Sequence, residues 1–235
     1  MSRMPEKQAL IVRGGWSGHM PHETTDEFLP FLDAQGYAVR IEEDAAIYAD
    51  PAVMAGIDVI VQCVSLMETS REAIAGLRGA VAAGTGLVGW HGGIVDSYRS
   101  HAEYLQLVGG QFAHHPASVP PDQRRGDGTD NFIEHAVSIA ADRSDHPIVA
   151  GVQDFTLTTE QYWVLTDSAN DVLATISIAA RSFDAWHESV TVPAVWTRRW
   201  GDGRITVVTP GHRLEDIRHP AVKQLIERGI QWSTR

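Results

Sequence analysis

Gly84-Thr85-Gly86-Leu87-Val88-Gly89-Trp90-His91-Gly92-Gly93 is an apolar run that ends in glycines, with a histidine set into its last turn. Residues 86–90 read as a buried strand. The Gly-x-His-x-Gly pattern over 89–93 carries the small residues that a tight strand-to-helix turn needs to hold one side chain exposed. That is the shape of a nucleophile elbow with histidine at its apex. The plainer reading has Gly92-Gly93 simply ending a strand and leaves His91 hydrogen-bonded in the core.

Upstream, residues 9–13 form a short apolar run closed by Gly14-Gly15, and residues 23–35 follow with Phe28, Leu29, Phe31 and Leu32 spaced as on a buried helix face. Residues 37–41 and 58–64 read as two further strands, the second rich in β-branched side chains and so buried on both faces. Residues 70–83 read as a helix. Strands alternating with helices predict an α/β fold with a doubly wound, mostly parallel sheet of the flavodoxin-like kind. Downstream the character changes, with strand-like runs at 135–140, 172–178, 194–200 and 204–209. The last two flank Gly201-Asp202-Gly203, a hairpin signal because glycine and aspartate accept the positive φ of tight turns. Antiparallel strands are therefore expected to extend the parallel sheet. Residues 221–232 read as a C-terminal helix. Residues 116–131, with Pro120-Pro121 and Gly126-Asp127-Gly128, lack apolar periodicity and are expected to be a lid or binding loop.

The length of 235 residues suits one α/β core, so residues 1–235 are expected to form a single domain. Nineteen Lys and Arg against 30 Asp and Glu leave a formal charge of −11, which opposes approach to phosphate backbones and anionic lipid and argues against nucleic acid or membrane as partner. Cys63 is the lone cysteine; it can neither close an internal disulfide nor build a thiolate cluster, and a cytoplasmic location fits. Residues 1–8 are short and polar, and the apolar run after them is far below the roughly 18 residues that span a bilayer. Neither a signal peptide nor a membrane anchor is expected. The acidic surface is compatible with a monomer, a dimer or a larger homo-oligomer.

Two more histidines follow strands: His19, in Gly15-Trp16-Ser17-Gly18-His19, and His212, in Thr209-Pro210-Gly211-His212. If those strands run parallel, His19, His91 and His212 share the sheet edge where open α/β sheets bind ligands. Otherwise they are independent loop histidines. His114-His115 opens the long loop, and adjacent strand residues point to opposite faces, so at most one of the two enters a shared site. Glu160 and Tyr162 stand close together, with solvated carboxylate and core aromatic as their plain readings; Trp163 reads as core. His146, before Pro147, reads as a turn initiator. Neutral imidazoles with one carboxylate suit Zn²⁺ or a similar ion, although no HxH or HxxxH spacing announces one. The same groups suit metal-free proton transfer.

Several motifs, in order along almost the whole chain, resemble the trehalose-utilisation (ThuA-like) family. They are the Gly15-Trp16-x-Gly18-His19 opening, 84–93, Gly109-Gly110-Gln111-Phe112-Ala113-His114-His115-Pro116, Asp145-His146-Pro147-Ile148, Glu160-x-Tyr162, Pro193-Ala194-Val195-Trp196-x-Arg198, and Gly203-Arg204 through Gly211-His212. The resemblance implies a fold of the class I glutamine-amidotransferase-like superfamily, whose catalytic members carry cysteine where this chain has His91. Cys63 lies inside an expected strand, so glutamine hydrolysis through a thioester is disfavoured. The resemblance further implies a role in the use of trehalose and related disaccharides, near enzymes that act on 3-keto sugars. Thr159-Glu160-Gln161-Tyr162 departs from the commoner Asp-Glu-x-Tyr pattern, keeping the carboxylate and phenol while losing a neighbouring charge.

The resulting expectation is a carbohydrate-processing enzyme acting on a keto-sugar or keto-glycoside by acid/base isomerisation or cleavage. His91 and Glu160 are the catalytic candidates, His19 and His212 the metal or oxyanion candidates, and Trp16, Tyr162 and His114 or His115 the substrate contacts. A small-molecule sugar is the expected partner. The competing reading is a non-catalytic sugar or metabolite binder on the same fold.

Overall fold

The computed structural model describes residues 7–235; the reading of residues 1–8 as a polar lead falls outside it except for Lys7 and Gln8. The elements, in order, are β1 (Lys7–Gly15), α1 (Pro21–Asp26), α2 (Leu29–Ala34), β2 (Tyr37–Glu42), α3 (Pro51–Met54), β3 (Val59–Ser65), α4 (Arg71–Ala82), β4 (Gly86–Trp90), α5 (Gly92–Val95), α6 (Ala102–Val108) and β5 (Gly110–His114). There follow β6 (Phe132–Ile139), β7 (Phe155–Glu160), β8 (Trp163–Thr166), β9 (Asp171–Ile178), β10 (Val190–Trp200), β11 (Gly203–Val208), α7 (Leu214–Arg218) and α8 (Pro220–Ser233).

One sheet dominates, in the order β2-β1-β3-β4-β11-β10-β9-β6-β7. From β2 to β11 its neighbours are parallel; from β11 onward each added strand is antiparallel. The expected mixed α/β architecture is therefore what the chain forms. The central strand β3 is buried at all seven positions, as suits a strand rich in β-branched residues and covered on both faces. Against the sheet, α8 buries Val222, Leu225, Ile226 and Ile230, a helical stripe that packs on β4 and β11. The Ser70 hydroxyl caps α4 by accepting the Ala73 N–H at 3.1 Å. The hairpin at Gly201-Asp202 pairs Trp200 with Gly203, with Gly201 at φ 59°.

Two details depart from the sequence reading. The helix expected over 23–35 is two helices, because Pro30 has no N–H to carry the ladder back to the preceding turn. The strands β5, β7 and β8 had not been anticipated; β5 and β8 pair as a separate antiparallel ribbon. Residues 116–131 contain two short 3₁₀ turns, and their ends are tied by the Ser118 N–H donating to the Asp130 carbonyl at 2.7 Å.

Candidate functional site

The strands β1, β4 and β11 run the same way, and all three lead into histidine. His19 closes a 3₁₀ turn after β1, His91 follows β4 directly, and His212 follows β11. Their rings meet edge to face, with centroids 4.8 Å apart for His19–His91, 5.1 Å for His19–His212 and 5.2 Å for His91–His212. The fourth member, Glu160, ends β7 at the far margin of the sheet. Strands about 4.8 Å apart in a flat sheet would hold β7 well away from β11, yet Glu160 Oε2 lies 2.8 Å from His212 Nδ1 and 3.1 Å from His91 Nε2. The antiparallel extension thus curls back over the carboxyl ends of the parallel strands. A buried clasp holds it there: the Thr159 hydroxyl donates to Asp216 Oδ2 at 2.6 Å, and the same oxygen accepts the Arg213 main-chain N–H at 3.0 Å, one residue beyond His212.

His91 sits at φ 47°, in the left-handed region that a β-carbon disfavours, a strain of about 1–3 kcal/mol. Two hydrogen bonds to β11 and the residue after it oppose that cost: the His91 N–H donates to the Val208 carbonyl at 2.8 Å, and Nδ1–H donates to the Thr209 carbonyl at 2.8 Å. Because a carbonyl can only accept, the second bond fixes the tautomer. In neutral His91, Nε2 then carries a lone pair aimed at a carboxylate oxygen 3.1 Å away. Tyr162 stacks on the other side of the ring, with centroids 3.9 Å apart. Gly92 is obligatory for packing, since a β-carbon there would come within 2.3 Å of His19 Cε1.

Electrostatics sort the groups into one anion and several neutral bases. Burial pushes the His19 imidazole down to about 2. Burial likewise lowers His91, and His115 falls to about 4. For Glu160, burial favours the neutral acid, but the hydrogen bond from His212 and the closeness of the His91 and His115 rings outweigh it and hold the carboxyl well below its ordinary range. His19 Nδ1 is engaged by the Ser65 hydroxyl at 2.6 Å. One ligand atom from each of His19, His91, Glu160 and His212 lies within 4.8 Å of every other, and all four residues are buried. Neutral imidazoles and a carboxylate form a donor set that fits Zn²⁺ or a similar divalent ion. The facing lone pairs of His91 Nε2 and Glu160 Oε2 call for a proton or a cation between them.

The remaining candidates separate. His115 approaches, with Nε2 at 3.5 Å from Glu160 Oε2, while His114, the last residue of β5, is exposed. Trp16 stands on the rim, 47% exposed, its ring 4.7 Å from that of His19. Tyr162 is buried against His91, and Trp163 packs partly buried on the core. Cys63 is buried within β3, and burial pushes its thiol up to about 12. His146 opens a turn, its carbonyl accepting the N–H groups of Val149 and Ala150. Sequence reasoning missed Ser65, Asp216, Phe112 and Phe132. Ser65 had a usable signal, because it ends the strand between β1 and β4; Asp216 had none.

The family model described as trehalose utilisation matches residues 8–233. Among solved structures, a ThuA-like protein of Bacteroides uniformis aligns at a TM-score of 0.70 and 16% identity, covering 99% of this chain and 93% of that one. A ThuA-like protein of Parabacteroides merdae aligns at 0.71 and 16%, covering 97% and 90%. A cytoplasmic protein of Salmonella typhimurium LT2 aligns at 0.62 and 14%, covering 97% and 100%. At these identities the likeness to each is one of fold. Among curated proteins, none matches the sequence.

Proposed function

This chain belongs to the trehalose-utilisation family, and from that premise we propose that it processes a keto-sugar or keto-glycoside by acid/base chemistry assisted by a divalent ion. The family supports the carbohydrate role. The observation that carries the rest is the pairing of His91 Nε2 with Glu160 Oε2 at 3.1 Å, with the His91 tautomer pinned by the Thr209 carbonyl.

His19, His91 and His212, with Glu160, would hold the ion. A bound divalent ion supplies a Lewis acid that polarises a sugar carbonyl. The chain's own part is to hold a base within hydrogen-bond reach of the C–H beside that carbonyl. The ion pairs of Glu160 with His91, His115 and His212 all run to Oε2, and we assign Oε1 as the atom that takes that proton. His115, a quarter exposed, stands beside the carboxylate with Nε2 3.5 Å from Oε2. Return of the proton to the neighbouring carbon gives isomerisation; departure of a β-oxygen gives cleavage. Trp16 offers an exposed aromatic face at the rim for a sugar ring. A cytoplasmic location accompanies this reading; among the described residues no helix is long and apolar enough to cross a membrane.

The test is turnover. Folded His91→Ala and Glu160→Ala variants are expected to lose conversion of keto-sugars that the wild type converts. Full turnover by both variants on every such sugar would overturn the proposal.

A further inference from the structure

Two arginines lie one aromatic ring away from the site, on different sides, and only one of them is free. Arg99 has its guanidinium carbon 5.6 Å from the Phe112 ring centre, and Phe112 packs on His115 and Tyr162 at 4.4 and 4.5 Å. Arg99 is nevertheless committed, because its Nε donates to the buried Asp96 carboxylate. Arg213 is 4.2 Å from the Phe132 ring centre, and Phe132 meets His212 edge to face at 5.2 Å. Among the described residues its guanidinium makes no ion pair. Of the two acids that follow it in the chain, Glu215 is exposed and makes no ion pair with it, and Asp216 is buried with Oδ2 taken by the Arg213 main-chain N–H and the Thr159 hydroxyl.

In a chain with a net charge of −11, an exposed arginine next to a ligand-bearing histidine, held over a ring and left without a counter-ion, is a prepared anion contact. Stacking on Phe132 restrains the guanidinium without consuming its five N–H donors. The centre of the cluster is assigned to the ion and the reacting carbons, so an anionic group on the sugar belongs at the rim, where Arg213 stands beside His212.

We infer that Arg213 binds a carboxylate or phosphate on the sugar, so that the substrate of this chain is an acidic sugar rather than a neutral disaccharide. The inference rests on the carbohydrate reading of the site given above.

Calorimetric titration of the purified protein with glucuronate, glucose 6-phosphate and glucose tests it, the first two separating carboxylate from phosphate. At least one acidic sugar is expected to bind tenfold or more tightly than glucose. Arg213→Gln should bring that sugar to within twofold of glucose while leaving glucose affinity unchanged, and Arg99→Gln should keep the preference. Equal binding of all three sugars, a preference that survives Arg213→Gln, or equal loss in Arg99→Gln would overturn the inference and leave the carbohydrate reading standing. Binding of none of the three, by the wild type at millimolar concentration, would overturn the inference, whereas the carbohydrate reading falls only on the turnover test given above.

Discussion

The parallel and antiparallel halves of the sheet contribute to the site in different ways. The parallel half, β1, β3, β4 and β11, delivers His19, Ser65, His91 and His212 by one device, a side chain placed at or just beyond the carboxyl end of a strand. The antiparallel half delivers Glu160 by curling back, and needs the Thr159–Asp216 clasp to hold it there. Strand ends in a parallel sheet are positioned by the core itself, whereas a returning strand needs contacts of its own.

This contrast orders the expected effects. The largest belongs to the group that only the antiparallel half supplies: Glu160→Gln keeps the size of the side chain but removes its charge, and should lower kcat/KM on a converted keto-sugar by roughly 10²–10⁴-fold. A loss under tenfold would return Glu160 to a spectator role. Next comes the core that seats the parallel strand ends. Leu225→Ala empties a fully buried position under β4 and β11 and should cost about 2–5 kcal/mol in denaturant unfolding, with kcat unchanged in the folded fraction. A kcat that falls in step with stability would mean the strand ends are not independently seated.

Positioning should matter on both sides. Ser65→Ala, behind His19, and Thr159→Val, behind Glu160, are each expected to weaken divalent-metal affinity by roughly 10–100-fold. The comparison sharpens if Thr159→Val costs more than Ser65→Ala, and breaks if neither changes affinity. The smallest effect is one of pH. Burial lowers the His135 imidazole in β6, so the unfolded chain gains a proton near pH 6.5 that the folded chain refuses. Stability is then lost as pH falls below about 6.5, and His135→Gln should make that acid slope shallower. An unchanged slope would remove His135 from the acid response.

The same contrast explains what was legible in the sequence. The run Val59-Ile60-Val61 and the stripe Val222, Leu225, Ile226, Ile230 carry strong periodic signals, so the parallel core and its helix could be read directly, and with them the three strand-end histidines. Their convergence depended only on the strands being parallel, which they are. The strand β7, Phe155-Thr156-Leu157-Thr158-Thr159-Glu160, has threonine where strong apolar alternation would be needed, and β8 exposes Leu165 at 58%; both escaped notice. Glu160 and Tyr162 were picked out by their chemistry and family pattern, but nothing local could show that a strand at the far margin returns to the centre. Pro30, by contrast, was a visible break in the helix expected over 23–35.

The central claim, that four residues from both halves of the sheet form one divalent-metal centre, is tested most directly by titrating Zn²⁺ into metal-stripped protein and measuring stoichiometry by elemental analysis. One ion per chain is predicted for the wild type, with loss of stoichiometric binding in folded His19→Ala, His212→Ala and Glu160→Ala variants alike. No stoichiometric ion in the wild type, or undiminished binding in the Glu160→Ala variant, would contradict it.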